Sequence, residues 1–354
     1  DNFMNFGIVC ELNPMHGGHK YLFDCCKKEN DAIILAMSGN FTQRGDFAVY
    51  DKYMRAKTAV ENGADLVIEI PAVSSLQCAQ GYAKAGVKIL ESTGICDCLA
   101  FGAEDDDIQA LKEISDKIKE KDEDIVNQLK SGVSYPKARQ NAVNSPLLLT
   151  PNNILAIEYL TYTSLPCKAV KRIGKGHDSN DTVYSANEIR KHLDKNEICS
   201  IENCEKAILY KLRTMNAEDF KNIEDVSEGL ENRIVNAVKT AKTVEEVYDK
   251  IKTKRYTHSR IRRIIMRAYL GITKDMPTLP EYLHILAFNE KGRKMLSEMK
   301  EKATLPILTR YGDIKYERIK KLFDTESRFT DIYSLGFKEI RNCGEEQRAK
   351  VEII

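Results

Sequence analysis

Residues 5–29 read NFGIVCELNPMHGGHKYLFDCCKKE. An apolar run, FGIVCEL, comes first. A helical pattern follows, with Tyr21, Leu22, Cys25 and Cys26 along one side. Between them, in NPMHGGHK (13–20), stand two of the chain's six histidines, three residues apart. The pattern then recurs. DAIILAMS (31–38), ADLVIEIP (64–71) and DCLAFGAE (97–104) read as further buried strands. DKYMRAKTAVEN (51–62) and SLQCAQGYAKAGVKILEST (75–93) read as the helices between them. Continuous apolar strands separated by helices predict a parallel sheet covered on both faces, a doubly wound Rossmann-like α/β domain.

Further on, residues 105–130 are highly charged and helical, ILAIEYLTYTS (154–164) reads as a helix, and CKAVKRIG (167–174) as a strand. YSANEIRKHLDK (184–195) has a serine where a helix begins. Beyond about Asn196 the strand signals fade, and helical periodicity runs on through PEYLHILAFNEKGRKMLSEMKEK (280–302). The sequence predicts a doubly wound α/β domain over residues 4–200 and a mostly α-helical domain over 201–354.

The 354 residues are 42% hydrophobic and 30% charged, with a formal net charge of +1, so a nucleic-acid partner would have to be met by a local patch. No apolar run approaches the roughly 18 residues of a membrane span, and no charged segment followed by a long apolar one marks a secretory signal. The ten cysteines include no CxxC pair and read as reduced structural thiols, so the expected location is the cytoplasm. There the sequons NFT (40–42) and NDT (180–182) carry no weight. No all-protein metal cage is visible.

Open α/β sheets bind ligands at the carboxyl ends of their strands, where helices begin. The free N–H groups and partial positive charge of such a helix start suit phosphate. His16 and His19 can share one face there and donate hydrogen bonds as charge develops on an attacked α-phosphate. Gly17 and Gly18 leave room for a nucleotide, and Pro14 fixes the exit from the strand. The plainer reading makes His16 a turn residue and His19 a helix-surface residue. Their place after the first strand favours the nucleotide site.

HGGH resembles the HxGH signature of the nucleotidylyltransferase superfamily. Five blocks together resemble the tRNA(Met) cytidine acetate ligase family: GIVCELNPMHGGHKYL, MSGNFTQRGDFAVYDKYMRAKTAVENGADLVIEIP, FGAE, PNNILAIEYL and KRYTHSRIRR. The resemblance implies a ligase that activates acetate with ATP as acetyl-adenylate. It then passes the acetyl group to N4 of the wobble cytidine in elongator tRNA(Met), giving N4-acetylcytidine. ATP would be a substrate accompanied by Mg2+, and no tightly bound cofactor is implied. The family's ATP-binding segment falls on Val9, Cys10, Glu11, Leu12, Asn13, Pro14, His16, Gly17, Gly18, His19 and Leu22, with His16 and His19 catalytic. Further ATP contacts fall on Gly102, on one of Asn152 and Asn153, and on Arg172 and Ile173. Ser185 and Arg190 match the superfamily's second signature, although Asn187 stands where a hydroxyl residue is common. Helix capping is the rival role for Ser185.

Other residues near these strand ends remain open. Glu104 can bond a base or ribose, or be a solvated loop carboxylate. Ser38, Gly39 and Asn40 are placed to line the cleft, and Gln43 and Arg44 to hold acetate, phosphate or RNA. Lys52, Arg55 and Lys57 form either a solvated helix face or part of the cleft. Glu11 and Asp51 are the candidates for a general base. Residues 250–267 hold eight basic residues and no acidic one. From these, Lys252, Lys254, Arg255, Arg260, Arg262, Arg263 and Arg267 are expected to meet tRNA, with Tyr256 for stacking. The alternative is an amphipathic helix whose cations pair with nearby acids. Two rival functions are a small-molecule adenylyltransferase and a non-catalytic RNA-binding protein with a nucleotide fold.

Overall fold

The computed structural model describes residues 3–173, 185–227 and 229–354. The sequon at 180–182, Gly174 and Tyr184 lie outside them. The strands are β1 (Asn5–Cys10), β2 (Ala32–Ser38), β3 (Leu66–Ile70), β4 (Cys98–Ala103), β5 (Cys167–Lys171), β6 (Leu283–Phe288), β7 (Ile307–Leu308) and β8 (Glu352–Ile353). They form one sheet in the order β5-β4-β1-β2-β3-β6-β7, with β8 also paired to β6. β1 to β5 are mutually parallel.

Side chains alternate along these strands. In β2, Ile33, Leu35 and Met37 enter the core on one face of the sheet, while Ile34 and Ala36 enter the core on the other. Both faces are covered, which is why the sequence shows continuous apolar runs rather than alternation. From β1 the chain builds outward through β2 and β3, then returns to place β4 and β5 on the opposite side. The order reverses between β1 and β4. The crevice at their carboxyl ends is the switch point where such sheets take ligands.

The expected helices after residue 200 are present as Glu205–Arg213, Leu230–Thr240, Val244–Ile251 and His258–Leu270, around an apolar core of their own. Phe41 and Phe47 from the first half of the chain enter that core. One reading is corrected. LHILAF is not helical but is β6, antiparallel to β3 and wholly buried. Helical periodicity misleads here because a short run buried on both faces has no period of its own. The signal for the true boundary was Asn289, which caps the next helix, Glu290–Lys302. All ten cysteines are unpaired. Among the described residues no helix is long and apolar enough to cross a membrane.

Candidate active site

Between β1 and helix α1 (Gly17–Cys26) the chain makes a tight turn, with Leu12 at φ 50° and a cis Asn13–Pro14 bond. Asn13 ties the turn down. Its side chain accepts from Val49 N at 2.8 Å, and its carbonyl accepts from Arg190 Nη1 at 2.6 Å. His16 is the N-cap of α1. Its Nδ1 accepts from Gly18 N at 3.0 Å, and its own N–H donates to His19 Nδ1 at 3.2 Å. This is a capping box built from two imidazoles. The rings lie 3.9 Å apart, tilted by 33°. With both Nδ1 atoms accepting, each neutral ring carries its proton on Nε2. Among the described residues neither Nε2 makes a hydrogen bond. Burial, then the Arg172 and Arg190 charges, lower the His16 pKa. Burial, then His16 and Arg172, push His19 down to about 3. The site therefore presents two neutral N–H donors beside two guanidinium groups.

Glu11 follows β1 directly and is half-buried. Its Oε2 accepts from Ser38 Oγ at 2.8 Å and from Gln43 N at 2.9 Å. Tyr82 stands within 3.2 Å of Ser38 Oγ and donates to Cys10 O at 3.3 Å. Arg55 is buried and donates to the carbonyls of Glu11, Ser38 and Gly39, clamping the ends of β1 and β2 together. Lys52 is also buried, between Glu69 and Glu346. The reading of these two as a solvated helix face is thus corrected; only Lys57 of the three is exposed. Sequence reasoning missed Tyr82 and the role of Arg55, because one polar residue in an amphipathic helix does not announce what lies across the sheet end.

At the end of β4, Gly102 leaves room beside Arg172, whose Cγ would lie 3.3 Å from an added Cβ. Glu104 is not a free loop carboxylate. It accepts from Asn152 N and Nδ2 and from Asn153 N, at the start of the Pro151–Tyr162 helix. Asn152 Oδ1 accepts from Arg172 Nη1 at 3.1 Å, while buried Asn153 accepts from Asp105 N. Asn152 is therefore the half-exposed one of the pair, next to Arg172. Arg172 and Ile173 are exposed. Ser185 caps the Ala186–Lys191 helix in a box with Glu188, so its hydroxyl is already engaged. Val9, Leu12 and Leu22 pack into the apolar cores and hold β1 and α1 in place.

Residues 4–204 and 194–348 match the family model described as HIGH Nucleotidyl Transferase. The tRNA(Met) cytidine acetate ligase of Thermoanaerobacter sp. (strain X514) is 37% identical over 390 aligned positions, covering 96% of each chain. That of Acetivibrio thermocellus is 33% identical, covering 96% of this chain and 97% of its own. The chain belongs to the tRNA(Met) cytidine acetate ligase family. Its fold matches the crystal structure of Thermotoga maritima TmcAL bound with alpha-thio ATP, with a TM-score of 0.89 and 28% identity over 99% of this chain and 100% of that one.

The basic segment of this family member is less exposed than its composition suggests. Arg267 is 3% exposed and bonds Leu76 O at 2.7 Å and Glu224 at 3.0 Å. Arg263 is buried and reaches Gln43 O at 3.4 Å. Arg260 donates to Asp225 O, and Arg262 to His258 Nδ1. Tyr256 is buried. The stacking role for Tyr256 and the phosphate roles for Arg263 and Arg267 are thus corrected: Tyr256, just before the His258–Leu270 helix, and the two arginines within it are buried packing residues. Lys252, Lys254 and Arg255 are exposed, and Arg260 and Arg262 half-exposed.

Proposed function

We infer that the chain is an ATP-dependent ligase that activates acetate and acetylates N4 of a cytidine in elongator tRNA(Met). The observation that carries this is the pair of imidazoles with Nδ1 spent on the α1 cap and Nε2–H left to donate, at the sheet's switch point. An acetate oxygen attacks the α-phosphorus, a P–O bond forms, and pyrophosphate leaves with the electron pair of the broken bond. His16 and His19 hydrogen-bond the phosphoryl oxygens as charge builds there. Arg172 and Arg190 hold the anionic tail, and Gly17, Gly18 and Gly102 give the nucleotide access to the backbone. Asn152, beside Arg172 and Glu104, is the asparagine that meets ATP.

Mg2+ would arrive with the triphosphate and shield its charge. Among the described residues the one group of three His, Cys, Asp or Glu ligands within reach of each other is Glu245, Asp249 and His258, outside this cleft. The tRNA lies along the exposed cations of 252–255 and the half-exposed Arg260 and Arg262, in the cytoplasm where elongator tRNA works. The first five strands, within residues 4–200, supply the nucleotide site, and the helical segment around residues 252–262 supplies the RNA face.

The reading is tested by ATP–pyrophosphate exchange. Exchange should require acetate, and His16→Ala or His19→Ala should each slow it about 10²–10³-fold, the usual loss for one donor to a developing oxyanion. Exchange without acetate, dependent on a mononucleotide, would point to a cofactor-making adenylyltransferase instead.

A further inference from the structure

We propose that Glu11 is the general base that takes the proton from the cytidine amine during acetyl transfer; this rests on the functional reading above. An exocyclic cytosine amine is a weak nucleophile, because its lone pair is delocalised into the ring. It attacks the acetyl carbonyl carbon of acetyl-adenylate, a C–N bond forms, and the C–O bond to AMP breaks. AMP leaves with that electron pair, and the proton from nitrogen goes to the Glu11 carboxylate and then to water. Such base assistance is worth about 10²–10⁴-fold.

Three observations select Glu11. First, Asp51 and Glu104, two other carboxylates near these strand ends, are occupied. Asp51 caps helix α2 (Lys52–Glu61) and pairs with Arg341. Glu104 accepts three N–H groups of Asn152 and Asn153. Second, Glu11 is held by one oxygen only. Ser38 and Gln43 both donate to Oε2, and among the described residues no hydrogen bond reaches Oε1. Third, Glu11 lies where the two halves of the reaction meet. On one side is the turn leading to His16. On the other, Gln43 sits at the tip of the hairpin closed by the Phe41–Phe47 bridge. That tip rests on the basic helix. Gly45, at φ 81°, has no room for a Cβ, which would fall 2.5 Å from Arg263 N. The backbone that fixes the carboxylate is therefore seated on the helix proposed to meet RNA.

Arg55 from α2, Arg44 from the hairpin, Arg190, Cys10, Tyr82 and Tyr159 are the charged and titratable groups facing Glu11. Burial nonetheless raises its pKa, before the hydrogen bonds and guanidinium charges that oppose it.

The test uses the full chain, synthetic acetyl-adenylate and an elongator tRNA(Met) transcript. Transfer is read as N4-acetylcytidine in a single turnover, and adenylation as acetate-dependent exchange. Glu11→Gln should slow transfer at least 100-fold more than it slows adenylation, and Glu11→Asp should recover part of the difference. The wild-type transfer rate should climb with pH through one ionisation, and Glu11→Gln should lack that limb. Equal losses in both half-reactions, transfer at the wild-type rate, or a pH limb kept by Glu11→Gln would each overturn the proposal. With acetyl-adenylate supplied, a wild-type failure to activate acetate would count against the functional reading, and Glu11 would then be judged by the transfer rate and its pH limb alone.

Discussion

Two imidazoles accept backbone N–H groups at the start of α1, and this fixes when they can carry charge. Protonating His19 removes the acceptor that holds His16 N, so acid dissolves the cap. Its folded pKa, about 3, lies below the ordinary value near 6.5. Between these the unfolded chain binds a proton that the folded chain does not. The stability contribution is full above about 6.5 and is lost as pH falls toward about 3. His19→Asn, which removes the titrating ring, should flatten the fall in unfolding free energy measured by urea titration between pH 6 and 4. The upper limit is about 1.4 kcal/mol per pH unit, reduced by solvent screening at this half-buried site. An equal slope in the variant would show that His19 does not titrate this way. The turn was legible in the sequence because its chemistry is local: Asn13, Pro14, His16 and the glycines act within a few residues of each other. Arg55 was not, because the three carbonyls it clamps come from two strand ends far from it in sequence.

At the scale of one element, the His258–Leu270 helix and the segment leading into it divide their cations by burial. Lys252→Ala with Lys254→Ala should weaken tRNA binding and lower the slope of log affinity against log salt by about 1–2, as expected for up to two lost phosphate contacts. Arg267→Ala should act otherwise. It strands the buried Leu76 carbonyl and unpairs Glu224, which costs about 1–3 kcal/mol in folding. A binding titration over a range of salt, with a melting curve for each variant, separates the two classes. If the double variant keeps the wild-type salt slope, the RNA face lies elsewhere. Composition correctly marked this segment as basic but could not sort its arginines, since burial is set by the hairpin and the short Ala72–Ser75 helix packed against it. β6 shows the same limit. LHILAF contains one polar residue, His284, and its partner Glu69 lies on β3, 3.0 Å away in the fold and distant in the chain.

Across the whole molecule, one buried charge network joins the two ends of the chain. Lys52 on α2 pairs with Glu69 on β3 at 2.5 Å and with Glu346 near the C-terminus. Burial disfavours charge on Glu69, yet Lys52 and His284 hold its pKa at about 2. Lys52→Met would leave two carboxylates buried without their cation, a loss of about 3–5 kcal/mol and a clear drop in melting temperature. A variant as stable as the wild type would mean the network contributes little. The sheet's first five strands were legible, because parallel strands write themselves as apolar runs. Its completion by residues from the far end of the chain was not, because that pairing rests on contacts no local pattern records.

The most direct measurement is incubation of the protein with labelled acetate, ATP and elongator tRNA(Met), followed by nucleoside analysis. The label should appear in N4-acetylcytidine, and only when ATP is present. ATP turnover with no label in the RNA, or acetylation that proceeds without ATP, would contradict the account.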